Sequence, residues 1–293
     1  MNKYIYLSIN KKFGGNIRVS YSKTEIKDNI DQIEHPIVKG CLKKCKIENS
    51  IEIASLADVP AMGSGLGSSS AFTVGLLNGL YSYLGICKKN NELAEEACEI
   101  EIKDCNEPIG KQDQYGTAIG GLKQLSFLQN GEVIVNKLNL TKERFDLFQE
   151  NLLILFTGKT RSASEILAKQ SKALNENKSK RKTMQEMVNL AFDFQRELLN
   201  GDLNNLGTIL HENWIRKTSI CNAISNSWIN DAYQIAINNG ASGGKILGAG
   251  SGGFFLFYAH PNNHDRIIKN LPNMEKLNFT LEDKGTELVY SDF

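Results

Sequence analysis

Glycine recurs at positions 63, 65 and 67, and serines occupy 64, 68, 69 and 70, in the run Pro60-Ala61-Met62-Gly63-Ser64-Gly65-Leu66-Gly67-Ser68-Ser69-Ser70-Ala71. Such a loop lets a backbone approach a ligand where β-carbons would clash. Serines at the mouth of a following helix add free N–H groups and the positive end of the helix dipole. The chemistry this suits is anion binding, with phosphate as the natural anion. It is not a P-loop, because Gly67 is followed by Ser68-Ser69-Ser70 and not by Lys and Ser or Thr. It is not a dinucleotide loop either, because Ser68 stands where the third glycine is required.

Phosphoryl transfer also needs a divalent metal and a group to receive the nucleophile's proton. Glu101 closes an acidic stretch containing Glu95, Glu96 and Glu99. Glu and Ser oxygens suit Mg²⁺, which takes few protein ligands and keeps several waters. Asp113 follows 12 residues later, between Gly110 and Gly116. On its own, a carboxylate between glycines reads first as a solvated cap and second as a base.

The elements that must carry these groups follow from periodicity. Strands are expected at Tyr4–Ile9, Asn16–Tyr21 and Ile51–Ala57, with Phe13-Gly14-Gly15 as a turn. Helices are expected at His35–Lys44, Ala71–Leu84 and Asn90–Ile102, with His35 starting a helix before Pro36 and not acting as a catalyst. Asn130-Gly131 predicts a hairpin joining Gln124–Gln129 to Glu132–Leu138. The polar stretch Asn139–Glu150 reads as a domain boundary, which divides the chain into 1–150 and 151–293. Beyond it come a buried strand at Asn151–Phe156, helices from Ser162 to about Asn239, a second glycine cluster at Gly240–Gly253, a strand at Phe254–Tyr258 and a helix at His260–Leu271. Leu277–Leu281 and Glu287–Tyr290 read as closing strands.

Composition is that of a globular chain with a good core: 41% hydrophobic, 23% charged and a net charge of +1 over 293 residues. No global field draws nucleic acid or an anionic membrane, and the basic run Lys178–Lys182 reads as a solvated helix start. No apolar run approaches the ~20 residues needed to span a bilayer. The six cysteines form no CxxC, so a zinc site is not expected, and free thiols suit a reducing cytoplasm. Cys41 and Cys45, one helical turn apart, read as packing thiols.

Pro60–Ala71 resembles the second motif of the GHMP kinase superfamily, Pro-x-x-x-Gly-Leu-Gly-Ser-Ser-x-Ala, with one extra residue before Gly-Leu-Gly. Lys245-Ile246-Leu247-Gly248-Ala249-Gly250-Ser251-Gly252-Gly253 resembles its glycine-rich third motif. Glu107-Pro108-Ile109-Gly110-Lys111-Gln112-Asp113-Gln114-Tyr115, Thr157-Gly158 with Arg161-Ser162-Ala163-Ser164, and His211-Glu212-Asn213-Trp214 look most like the bacterial kinases of D-glycero-D-manno-heptose 7-phosphate. The resemblance implies an α+β fold, with a ribosomal-protein-S5-like N-terminal, ATP-binding domain and a ferredoxin-like C-terminal domain. It implies that the Gly63–Ser70 backbone cradles ATP, and that Ser69 and Glu101 hold Mg²⁺, with Ser68 as the alternative serine. Asp113 matches the aspartate that orients or deprotonates the acceptor. Thr157, Gly158, Arg161, Gly248 and Gly250 fall on the substrate side.

The heptose kinases' first motif, Arg-x-x-x-x-Gly-Gly-Gly-Thr-Asp, has no counterpart here, and no Thr-Asp follows Phe13-Gly14-Gly15. The chain reads as starting at the family's next strand, which predicts an unpaired sheet edge there. The implied activity is a cytoplasmic sugar 1-kinase acting on a sugar phosphate, with no nucleic-acid or membrane partner and with a homodimer left open. The alternatives are a kinase for another sugar, such as fucose, and a nucleotide-binding protein with little turnover.

Overall fold

The computed structural model describes residues 1–60 and 63–292. Ala61 and Met62 of the phosphate-loop motif therefore lie outside the described residues. The chain divides by its contacts into two compact units, and both are discontinuous in sequence. The first comprises, of the described residues, 1–60, 67–121 and 282–292; the second comprises 63–66 and 122–281. The division between the main bodies thus falls at 121/122, ahead of the polar stretch expected to mark it.

In the first unit the strands are β1 (Ile5–Lys11), β2 (Ile17–Ser20), β3 (Thr24–Lys27) and β4 (Ile51–Ala57). Its helices are α1 (Pro36–Cys45), α2 (Ser68–Tyr83), α3 (Asn90–Cys98) and α4 (Gln112–Ala118). The sheet order is β1-β4-β2-β3. β1 runs antiparallel to β4 (Ile9 opposite Ile53), while β2 runs parallel to it (Val19 opposite Ile53). β1 is an edge strand of this sheet, with Tyr6 and its partner Leu56 exposed. Helix α2 lies against β1 and packs with α1, α3 and α4. Ile17, Val19, Ile51 and Ile53 from the sheet and Val74, Leu77 and Leu80 from α2 are all buried. His35 caps α1, its side chain accepting from Val38 N–H, which bears out its reading as a helix-start residue.

The second unit opens with the hairpin β5 (Lys123–Phe127) and β6 (Val133–Lys137), then α5 (Lys142–Glu150) and β7 (Leu152–Phe156). Four helices follow: α6 (Ala163–Glu176), α7 (Lys178–Asn200), α8 (Asn205–Ile220) and α9 (Ser227–Asn238). β8 (Ala241–Ile246), β9 (Phe254–Ala259), α10 (Pro261–Asn270) and β10 (Glu275–Lys276) complete it. The sheet order is β10-β7-β9-β8, antiparallel throughout. With helices between β7 and β8 and between β9 and β10, this is the ferredoxin-like succession. Phe255, Phe257 and Ile246 bury one sheet face against Trp214, Tyr233 and Ile229 of α8 and α9.

The structure corrects several local expectations. The polar boundary segment 139–150 folds into α5, because Thr141 caps it by accepting from Arg144 N–H and Phe148 is buried. The loop carrying Asp113 is the helix α4, which packs on α2 and α3. Residues 277–292 form no strand; only Glu275–Lys276 pairs, with Leu155 and Phe156 of β7. The first half of the second glycine cluster is strand β8, where facing backbones leave no room for β-carbons at Gly243 and Gly244. Cys41 and Cys45 are buried, with Cys41 pushed up by burial and Cys45 pushed up to about 12, as packing thiols are.

Candidate active site

Of the predicted phosphate loop, residues 63–66 count with the second unit and residues 67–70 with the first, where 68–70 begin α2. Gly67 is the N-cap of α2, in the left-handed region at φ 74°, and as a glycine it brings no capping side chain of its own. At this helix start Ser69 is exposed and Ser70 is buried.

Beneath that helix start lies Glu101, 0% exposed. Helix α3 does not simply end; it runs on into a π-helical stretch, Glu99–Asp104, that carries Glu101 inward. Such stretches recur at functional sites because they re-aim one side chain out of helical register. Glu101 Oε1 accepts from Ser69 Oγ at 2.6 Å, and Oε2 accepts from Ser70 Oγ at 2.8 Å and from Gln114 Nε2 at 2.5 Å. The structure thus brings Ser69 and Ser70 together with Glu101. Three donors on one buried carboxylate supply what its desolvation requires.

Gln114 is a residue of this candidate site that sequence reading missed. It is 0% exposed, one residue past Asp113 on α4, and it fixes the carboxylate. A helical rather than loop reading of 112–118 would have put Gln114 and Asp113 on different faces, one inward and one outward. Asp113 is the exposed one. A β-carbon at Gly67 would lie 3.4 Å from the Asp113 β-carbon and carboxyl carbon and 3.7 Å from Oδ2. The expected base therefore stands beside the start of α2.

In the second unit, the residues expected on the substrate side surround glycine backbone. Buried Thr157 donates from Oγ1 to Gly253 O at 2.8 Å, and Gly253 N–H donates to Lys159 O at 2.8 Å. Gly158 turns the chain between them at φ 71°. Arg161 donates from Nε to Gly250 O at 2.5 Å, from Nη1 to Gly63 O at 2.7 Å and from Nη2 to Leu247 O at 3.4 Å. Burial pushes its guanidinium below the ordinary value, yet an arginine remains charged in a protein. Lys217 of α8, which no motif singled out, donates from Nζ to Gly248 O. Gly248 and Gly250 thus supply carbonyls to cations.

Residues 36–121 match the GHMP kinases N terminal domain, and residues 194–276 match the GHMP kinases C terminal region. The chain is 34% identical over 244 residues to the D-glycero-alpha-D-manno-heptose 7-phosphate kinase of Campylobacter jejuni, covering 83% of this chain and 70% of that protein. The chain belongs to the GHMP kinase family. It is 29% identical to the L-fucokinase/L-fucose-1-P guanylyltransferase of Bacteroides fragilis, covering 82% of this chain but 26% of that larger protein. Among solved structures, a D-glycero-D-manno-heptose 1-phosphate kinase from Bacteroides thetaiotaomicron superposes with a TM-score of 0.74 at 27% identity, covering 99% of this chain and 89% of that one. A mevalonate kinase at 18% identity and a TM-score of 0.72 shares the fold. The sequence-level fold reading, a GHMP kinase fold of mixed α and β structure, therefore stands.

Proposed function

We propose that this GHMP kinase transfers the γ-phosphoryl group of ATP to the anomeric C1 hydroxyl of D-glycero-D-manno-heptose 7-phosphate in the cytoplasm, as a step toward surface polysaccharide precursors. The observation that carries the phosphotransfer half is the nearness of the Asp113 carboxylate to Gly67, at the start of the serine-bearing helix. The sugar half is supported by the 34% identity to the Campylobacter jejuni kinase over most of the chain. Free cysteines agree with a reducing compartment.

The backbone of Gly63–Ser70 binds the nucleotide phosphates, and the N–H groups at the start of α2 hold anionic oxygens. Mg²⁺ fits the donor set. Ser69 and Glu101 offer adjacent oxygens, and the buried Gln114 Oε1 meets no donor among the described residues, so it can accept from a water of a hydrated ion. When bound, the ion neutralises phosphate oxygens. Glu101 and Ser69 would hold it, and Ser70 and Gln114 fix the carboxylate that would do so. Asp113 orients the C1 hydroxyl and takes its proton as the oxygen bonds to the γ-phosphorus and the bond from that phosphorus to ADP breaks. The proton then leaves Asp113 for solvent.

The test is ADP release from Mg–ATP with D-glycero-D-manno-heptose 7-phosphate, L-fucose or no sugar, with ³¹P NMR of the product. Heptose-dependent release and an anomeric phosphate signal are expected. Preference for fucose would move the sugar assignment. Mg–ATP binding without release on any sugar would favour a nucleotide-binding protein.

A further inference from the structure

Arg161 was expected to face substrate, yet its hydrogen bonds are spent on backbone. One guanidinium ties three carbonyls from two glycine loops, Gly63 O from the phosphate loop and Leu247 O and Gly250 O from the second cluster, 98 and 89 residues away for Gly63 and Gly250. Lys217 takes a fourth carbonyl, that of Gly248. The loops touch backbone to backbone. A β-carbon at Gly248 would fall 2.8 Å from Gly65 Cα, and one at Gly65 would fall 2.5 Å from Leu247 O. A guanidinium is suited to this role because it presents a planar fork of fixed donors, which an ammonium does not.

The consequence for ligand binding comes from peptide geometry. All described peptide bonds are trans, so a carbonyl pulled toward a cation turns the N–H of the next residue the opposite way. Holding the carbonyls of Gly63, Leu247 and Gly248 sets the N–H groups of residues 64, 248 and 249 facing away from the cations. Successive backbone N–H groups fixed in this way make an anion-binding concavity.

We propose that Arg161 is a positioning residue for the nucleotide: it holds loops 63–66 and 247–250 as one body, so that occupation of the first by phosphate orders the second. The proposal rests on the reading of Gly63–Ser70 as the ATP loop. Arg161 acts through peptide orientation and not by touching the sugar.

Hydrogen exchange on the whole 293-residue protein with and without Mg–ATP, and on Arg161→Lys, tests it. In the parent, Mg–ATP should slow exchange in 247–253 together with 63–70. In Arg161→Lys, both loops should exchange faster by about tenfold or more while residues 71–83 of α2 keep parent rates, since local openings are separable from global unfolding. Kinetically, Arg161→Lys should lower kcat/KM for ATP roughly a hundredfold, the scale of a ~1 Å misplacement, and leave KM for the sugar within about threefold. Methylguanidinium, but not methylammonium, should restore part of the activity of Arg161→Ala. If the loops respond independently, or if the loss falls on sugar KM alone, the proposal is overturned. If Arg161 variants do not fold, the joint response of the two loops in the parent decides. A parent that binds no Mg–ATP overturns the nucleotide reading instead, while the exchange rates of Arg161→Lys still decide whether the loops are stapled.

Discussion

The two glycine-bearing centres of this protein are built with opposite polarity. In the first unit a buried carboxylate, Glu101, collects donors from Ser69, Ser70 and Gln114. In the second, two cations collect backbone carbonyls, those of Gly63, Leu247 and Gly250 on Arg161 and that of Gly248 on Lys217. The first arrangement leaves oxygens gathered at a helix start, which suits a cation and the phosphates it accompanies. The second turns peptide planes, which suits shaping a loop. Glycine serves both, but for different reasons. At Gly67 it gives the left-handed N-cap and room for Asp113; at Gly248 it lets one backbone lie on another. A glycine-rich motif therefore does not by itself say whether its loop meets a ligand or another loop.

The difference can be broken most sharply at Asp113. Asp113→Asn keeps the side chain's shape and removes the proton acceptor, so kcat should fall by about 10²–10⁴-fold. Nucleotide affinity, measured by titration calorimetry, should stay within about threefold. Near-parent kcat with the preferred sugar would remove the base assignment. Next in size is Glu101→Gln. It retains one carbonyl acceptor but loses the charge, and the Mg²⁺ concentration needed for half-maximal ATP binding should rise at least about tenfold, the scale seen when even supporting groups of a metal site are changed. Unchanged Mg²⁺ dependence in a variant that melts like the parent would show that Glu101 only braces α2.

How far each centre was legible in the sequence follows from the same contrast. The serine–glycine loop reads as an anion site from local spacing alone, while Glu101 and Asp113 take their proposed roles from the family resemblance. The strand Ile51–Ala57 and the Asn130-Gly131 hairpin were legible because their signals are local. The second centre was not. Its acceptors are main-chain carbonyls, which every residue has, and their holders Arg161 and Lys217 lie 98 and 31 residues from the carbonyls of Gly63 and Gly248. Resemblance placed Arg161 near substrate, and only the folded chain shows where its donors go. Gln114 escaped for another reason. The glycines at 110 and 116 suggested a loop, and packing of α4 on α2 and α3 overrode that propensity. The tail beyond Lys276 looked like strands because short apolar runs carry no register information. With Val289 and Tyr290 largely exposed, it has no sheet face to bury.

A pair of glycine substitutions tests whether the loops differ as described. Gly248→Ala forces a side chain into left-handed backbone at φ 68° and against Gly65, and should cost about 1–3 kcal/mol of stability. Gly116→Ala, inside α4 with nothing within 4 Å of its β-carbon, should add about 0.5–1 kcal/mol. Urea melts of the two variants should therefore shift in opposite directions. A neutral Gly248→Ala would mean that the two loops are not in contact in solution.

The smallest expected effect concerns pH, and it separates the centres by what can titrate. In the second, the guanidinium of Arg161 keeps its charge between pH 5 and 8. The first rests on α2, whose Phe72 stacks on His35 at 5.2 Å, with Tyr21 edge-on to the same imidazole. Burial lowers the His35 pKa, against a smaller opposing pull from Glu25. Its Nδ1 must be unprotonated to accept from Val38 N–H. The sign follows. The unfolded chain takes up a proton as pH falls through its ordinary value near 6.5, while the folded chain resists until the lower folded value. His35 therefore contributes fully above about pH 6.5, and its contribution fades as pH falls below that. The loss should be about 1 kcal/mol, the scale of one helix cap. Denaturant melts at pH 7.5 and 5.5 should show it in the parent and show less of it in His35→Asn, which caps without titrating. Hydrogen exchange at pH 5.5 should locate the loosening in α1 and α2. If residues 247–253 loosened as much, the two centres would not be independent in their electrostatics, and the contrast between them would fail.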